Sequence, residues 1–290
     1  FLNLDLHLVF YSLLSLTLGY FVRIWRWKFM LSQTSNNILI KSCIAPFLGS
    51  IALNNLFPFR AGDLLRAFVF PNSLGVSKRS SILTLLIERL VDFVVLVTIF
   101  IFCFLSFDLI NFQLLESSLL YLKYLLSFFL FFILLTVFFY YYVSKGKNQN
   151  TYIHKTLTYL KTIKEDLKLF IKGSTFPKLL VMSLLVWTFE AGVFYFAILN
   201  FKFEPTFVIA LFVMSTATLA TLIPSAPGYF GSFHLAIFFA FSIVWQELGT
   251  IVTFAIYVHF LIWGGTSIAG LCAILLSPSL FKFSSNRKLK

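Results

Sequence analysis

Asn54-Asn55-Leu56-Phe57-Pro58-Phe59-Arg60-Ala61-Gly62-Asp63-Leu64-Leu65-Arg66 interrupts a chain that is otherwise built for lipid. A second polar stretch, Glu88-Arg89-Leu90-Val91-Asp92, lies on the next hydrophobic segment. Around them 59% of the residues are hydrophobic, 39 are Phe and only 12% are charged. No soluble domain of this size hides so much apolar surface, and apolar runs of transmembrane length recur from end to end. The sequence therefore reads as an all-α, polytopic membrane bundle, the helix satisfying each backbone polar group internally. Each charge in that setting costs on the order of a few kcal/mol, so it persists only where it pairs, lines a wet cavity or acts on a ligand.

The apolar runs place helices at about 7–22, 80–106, 119–143, 178–200, 205–223, 232–246 and 251–277, seven in all, plus a broken segment at 38–57. No long polar block is left over, so residues 1–290 read as a single integral membrane domain. The net charge of +12 does not point to nucleic acid, because Lys and Arg sit in short loops between spans. Basic loops mark the cytoplasmic side, which assigns there the 23–41 region with Arg23 and Arg26, the Lys-rich 144–178 loop and the C-terminal tail. The 107–118 and 246–250 loops carry only carboxylates and face the other way. Cys43, Cys103 and Cys272 are isolated, in no metal-ligand spacing, and read as packing residues.

This assignment gives the 38–57 segment basic flanks on both sides, so it does not cross. It also holds Pro46, Gly49 and Pro58, which disfavour a continuous helix. The expectation is a re-entrant hairpin, tolerated only where its backbone is buried in protein or faces a water-filled cavity. A counterpart follows in the second half, Pro224-Ser225-Ala226-Pro227-Gly228-Tyr229-Phe230-Gly231-Ser232-Phe233-His234. Gly/Pro-broken segments at matching places in two halves point to a central binding site. Two ordinary turns at the membrane surface are the alternative. Ile153, Leu157, Leu160, Ile163, Leu167 and Ile171 recur at helical spacing with Lys on the other faces, so 152–172 reads as an interfacial amphipathic helix.

Glu88 and Asp92 lie one helical turn apart, and Arg89 reaches Asp92 at i+3. With the helix starting near Ser80, Glu88 lies about 12 Å along it, and three ionisable groups at that depth need partners. Arg60 and Arg66 are the nearest candidates in sequence, flanking Gly62 and Asp63. Arginine suits phosphate because its planar fork donates two hydrogen bonds at once. The cluster is either a wet cavity for a charged headgroup or an ion-pair network docking the re-entrant segment. Asn54 and Asn55 either satisfy broken backbone or contact ligand. Glu190 sits mid-span between Phe189 and Ala191 and is therefore protonated or paired. His234 titrates near neutrality when unperturbed, and His259 reads as a packed, hydrogen-bonded residue. No HExxH, GxSxG or dinucleotide fingerprint occurs, and no cofactor is expected.

Taken in order, Asn54-Asn55-x-x-Pro58-x-Arg60-x-Gly62-Asp63-x-x-Arg66, Gly75-Val76-Ser77, Glu88-Arg89-x-x-Asp92 and Pro224-x-x-Pro227-Gly228-x-x-Gly231-x-Phe233 resemble the lysylphosphatidylglycerol synthase transmembrane-domain family. The likeness starts at about Arg23-x-x-Arg26-Trp27 and runs to the C-terminus. It implies a multi-pass protein of a bacterial or archaeal cytoplasmic membrane that moves an anionic phospholipid or polyprenyl phosphate-linked lipid between leaflets. Asp63 stands where the family usually has Glu, and His234 stands where Glu usually follows Gly-x-Phe. The second departure puts in doubt any role that carboxylate carries. The soluble aminoacyl-transferring domain of the synthases is absent from this sequence, so lipid aminoacylation is not implied. The chain begins at Phe1, and the family's extra upstream helix leads us to expect preceding sequence.

Three functions compete. In the first, a lipid translocase, Arg60, Asp63, Arg66, Asn54 and Asn55 bind the headgroup beside the polar cluster Glu88, Arg89, Asp92 and Glu190, and Pro224, Pro227, Gly228, Gly231 and His234 line the cavity at the second break. The second is a non-catalytic subunit of a cell-envelope assembly with envelope-biosynthesis partners. The third is a membrane transferase acting on a lipid-linked substrate.

Overall fold

The computed structural model describes residues 4–35, 38–106, 123, 165, 168–170, 173–222, 226–245 and 249–281. The chain divides into two compact units, Phe1–Ser106 with Phe170–Lys290, and Phe107–Leu169. Nearly all described residues belong to the first unit. The expected helices at 119–143 and 152–172 lie, apart from a few residues, outside those described.

Every described element is helical. Helix α1 runs Leu6–Ser32, α2 Ile40–Leu56, α3 Ala61–Phe68, α4 Pro71–Leu74, α5 Lys78–Ser106, α6 Thr175–Asn200, α7 Phe207–Ala220, α8 Ser232–Val244 and α9 Ile251–Leu275. Short 3-10 turns occupy Pro58–Arg60, Pro227–Tyr229 and Pro278–Phe281. Among the described residues four segments are long and apolar enough to cross a membrane: α1, α6, Pro227–Val244 and α9. Helix α5 is 29 residues long, but its first half carries Glu88, Arg89 and Asp92. The 14-residue α7 reaches about 21 Å, short of a roughly 30 Å hydrocarbon core.

Close helix contacts occur where side chains are small, as lipid-embedded packing requires. A Cβ on Gly192 of α6 would strike the Ser15 hydroxyl of α1, and Ser15 donates to the Phe189 carbonyl at 2.6 Å. A Cβ on Gly270 of α9 would strike the Leu48 carbonyl and Ala52 of α2. Phe100 of α5 stacks on Phe212 of α7, centroids 5.5 Å apart. Thr206 caps α7 by accepting from the Ile209 N–H at 3.3 Å.

Two expectations need correction. The basic stretch after residue 22 is not a loop: α1 continues to Ser32, with Arg26 and Trp27 buried inside the bundle. The charges of Arg23 and Arg26 are compensated by carboxylates on other helices, so hydrocarbon does not end the helix there. Pro46 does not break its segment either, since α2 is continuous across it. The chain turns only after Leu56, where Pro58 opens a 3-10 turn and Phe59 and Arg60 adopt left-handed backbone at φ 58° and 53°. It then folds back as α3, with Gly62 packed so tightly on the Ser50 carbonyl of α2 that a Cβ would overlap it.

The second break repeats this device. Pro227 opens a 3-10 turn, and Gly228 and Tyr229 follow at φ 67° and 62°. Left-handed backbone at a non-glycine costs about 1–3 kcal/mol and persists where the surroundings over-determine it. Both turns put a large side chain, Arg60 or Tyr229, in that state, and the Arg60 guanidinium lies over the Tyr229 ring, 5.9 Å from its centroid.

Candidate functional site

Five arginines and four carboxylates converge from four helices, α1, α3, α5 and α6, and the first turn. From α1, Arg26 makes a two-pronged pair with Asp92 of α5, including Nη2 to Oδ2 at 2.9 Å, and also donates to Ser183 Oγ. Arg23, one turn earlier, donates to Glu190 Oε2 of α6 at 2.9 Å and lies against the Tyr20 and Trp187 rings. From α3, the fully buried Arg66 donates to Glu88 Oε1 at 3.0 Å, its flat face against Phe47 and Trp27. Asp63 receives Arg89 at 2.7 Å and Asn54 Nδ2 at 3.0 Å, while its own N–H donates to Asn54 Oδ1. Asp63, the third residue of α3, thus ties α2, α3 and α5 together.

Arg60 is the exception. Its nearest carboxylate oxygen, on Asp63, is 4.0 Å away, and its Nη2 donates instead to the Thr221 carbonyl at 2.9 Å. Burial, with the like charge of Arg89 close by, pushes Arg60 below the usual arginine range. It remains a cation with little compensation. Burial would raise the Asp63 carboxyl, but Arg89, Arg66 and Arg60, with the Asn54 bond, hold it below the usual carboxylate range. Counted as ionised, Arg23, Arg26, Arg60, Arg66 and Arg89 against Asp63, Glu88, Asp92 and Glu190 leave one positive charge in excess.

A cavity of about 170 Å³ opens in the middle of this network. Asn54, Asn55, Arg60, Glu88, Arg89, Asp92, Glu190 and Gly228 all line it. A second cavity of about 300 Å³ lies between the two turns and shares Asn54, Arg60, Thr221, Gly228 and Tyr229 with the first. Pro227 borders this outer space. Two buried groups on the inner wall, Glu88 Oε2 and Trp187 Nε1, have no hydrogen-bond partner among the described residues. One accepts and the other donates, so the wall offers both to an occupant.

The remaining candidates sit around this centre. Arg66 and Asp63 are not among the lining residues; they stand behind the wall and fix α3 to α5. Asn55 spends its amide on Thr266 at 2.9 Å and Ser267 at 3.0 Å of α9, and its carbonyl accepts from Trp263 Nε1. His234 lies beside His259, Nε2 to Nδ1 at 3.2 Å, and His259 Nε2 is 2.8 Å from the Gly228 carbonyl. A carbonyl only accepts, so His259 carries its hydrogen on Nε2. A neutral His259 then receives on Nδ1 the Nε2–H of His234. Where the family usually has Glu, this chain thus has an imidazole that anchors the second turn through His259. Gly231, at φ 91°, precedes α8, and Pro224 is outside the described residues.

Sequence reading missed Arg23 and Arg26 as site residues because a basic cluster at the end of an apolar run looks like a cytoplasmic flank. The signal was present in the other half of the ledger: Asp92 and Glu190 each needed a cation. Tyr20, Trp187, Trp263 and Thr218 also line the cavity, and nothing in their local sequence sets them apart from packing residues.

No curated protein and no solved structure matches the chain. The model of one family, described as the lysylphosphatidylglycerol synthase TM region, matches residues 1–270. With nearly the whole chain matched, and with the ordered polar motifs meeting around one intramembrane-type cluster, the protein belongs to the lysylphosphatidylglycerol synthase TM region family, multi-pass membrane proteins related to lipid modification or translocation.

Proposed function

We propose that the protein moves an anionic lipid, a phospholipid or a polyprenyl phosphate-linked lipid, between the leaflets of a bacterial or archaeal cytoplasmic membrane. Arg60 carries the reading. It is the cation of the cluster least compensated by carboxylate, and it lies where the inner and outer cavities join and the two turns meet. A headgroup phosphate against Arg60 offsets the excess positive charge through charge-assisted hydrogen bonds. Headgroup hydroxyl or amino donors have the free oxygen of Glu88 to bond, and Trp187 offers a donor to headgroup oxygen. The paired arginines act differently: Arg26, Arg66 and Arg89 hold the wall, since their charge is already taken by carboxylates.

Translocation needs a polar path for the head across a roughly 30 Å hydrocarbon core. The two turns with the polar-lined cavities between them are the candidate for that path, since broken helices are tolerated at membrane depth only beside protein or a polar space. The test is reconstitution in vesicles with fluorescent phosphatidylglycerol and an impermeant quencher. Protein-containing vesicles are expected to expose nearly all of the label, against the outer half in empty vesicles. Equal protection in both would overturn the translocase reading and leave the ion-pair network a structural role in an envelope subunit.

A further inference from the structure

We infer that the apolar groove between α1, α2 and α9 is the path of one hydrocarbon chain of the lipid whose phosphate sits at Arg60. This rests on the headgroup reading above and adds a separate subsite to it. The groove has a volume of about 340 Å³ and holds no charged residue. Leu13, Phe21 and Ile44 form exposed rims, at 40%, 56% and 40% exposure, while Leu16 and Ile24 are buried in the floor.

Continuity with the polar cavity singles this face out from the rest of the lipid-facing surface. Tyr20 and Thr266 line both spaces, Tyr20 from α1 and Thr266 from α9. The two helices touch only lightly, because α1 packs mainly on α6 and α9 mainly on α2. The seam between them is therefore where only the Tyr20 and Thr266 side chains, hydrogen-bonded to each other, part the polar space from the apolar one. Along α1 the groove extends from Leu13 to Ile24, about 17 Å at 1.5 Å per residue. That is close to one leaflet's share of a roughly 30 Å core. Gly265 keeps the floor low: a Cβ there would already be 3.2 Å from Leu16 Cδ2.

Lipid tails are as apolar as leucine, so the groove adds little affinity. Its effect is on access. A head in the cavity can pass Tyr20 while its chain stays in hydrocarbon, without dragging methylene groups through the Arg/Glu network.

Three measurements on the full chain in vesicles separate the claims. A phosphatidylglycerol with a photoreactive group in mid-chain is expected to label Leu13–Ile24 and Ile40–Leu48, and labelling is expected to fall several-fold in Arg60→Ala. Ala269→Trp, at an exposed position of the groove, is expected to slow leaflet exchange roughly tenfold, a barrier increase of about 1.4 kcal/mol. It is expected to leave binding of glycerol 3-phosphate, read by Trp quenching, unchanged. Labelling of the groove that persists in Arg60→Ala is annular lipid only and overturns the chain path. Unchanged exchange in Ala269→Trp overturns it too. Loss of glycerol 3-phosphate binding in the wild type overturns the headgroup site instead, whatever the groove labels.

Discussion

Replacing Asp92 by Asn is the sharpest single perturbation of the network. Arg26 has a side chain only 2% exposed, and Asp92 takes two of its hydrogen bonds. With the negative charge gone, the buried guanidinium keeps Ser183 and at most the one amide oxygen of Asn as acceptors, and its charge is left without its carboxylate. Breaking one side of a buried ion pair typically costs about 3–5 kcal/mol, most of it the stranded charge and not the lost attraction. For a chain of this size that corresponds to a fall in melting temperature of roughly 10 °C. The assay is thermal unfolding of the purified protein in one detergent, followed by intrinsic tryptophan fluorescence. Arg26→Met combined with Asp92→Val removes both charges and is expected to regain most of the loss, because an apolar pair of similar volume is often as stable as the ions. A double variant as unstable as the sum of the singles would refute the reasoning, as would an Asp92→Asn protein that melts with the wild type.

Arg60→Ala is expected to melt within about 1 kcal/mol of the wild type, since its side chain is 28% exposed and lacks a close carboxylate, yet to abolish glycerol 3-phosphate binding; an unstable but binding-competent variant would contradict this. Gly62→Ala drives a Cβ into the Ser50 carbonyl, backbone that cannot yield, whereas Gly75→Ala meets nothing within 4 Å and bears only its left-handed φ of 66°. Folded yield should drop sharply in the first and by the equivalent of about 1–2 kcal/mol in the second. Asp63 is held below its unfolded pKa, so its contribution is complete above the ordinary carboxylate value of about 3.9 and is lost as pH falls towards the folded value. Asp63→Asn should therefore flatten the acid limb of the stability curve, and an unchanged limb would contradict the assignment.

The helical class and the two breaks were legible because composition and Pro/Gly placement are local signals. Glu88 and Asp92 stood out for the same reason, being charges in an apolar run. Legibility stopped where partners come from distant helices. Arg23 and Arg26 carry the same letters whether they flank a membrane or lie within a bundle, and only Glu190 and Asp92, more than 60 residues away in sequence, decide which. Pro46 misled for a related reason: a proline lowers helix propensity locally, but packing of α2 on α9 and α3 overrides it. The left-handed state of Arg60 has no local signature, since glycine would be the expected residue there.

Blocking the polar cavity reversibly tests the central claim most directly. Thr218 lines it and is half-buried on α7. In a background with Cys43, Cys103 and Cys272 replaced, Thr218→Cys can be modified with a bulky methanethiosulfonate and later reduced, all in the same vesicles. Leaflet exchange of phosphatidylglycerol is expected to stop on modification and return on reduction. Exchange that continues at the unmodified rate after complete modification would contradict passage of the headgroup through this cavity.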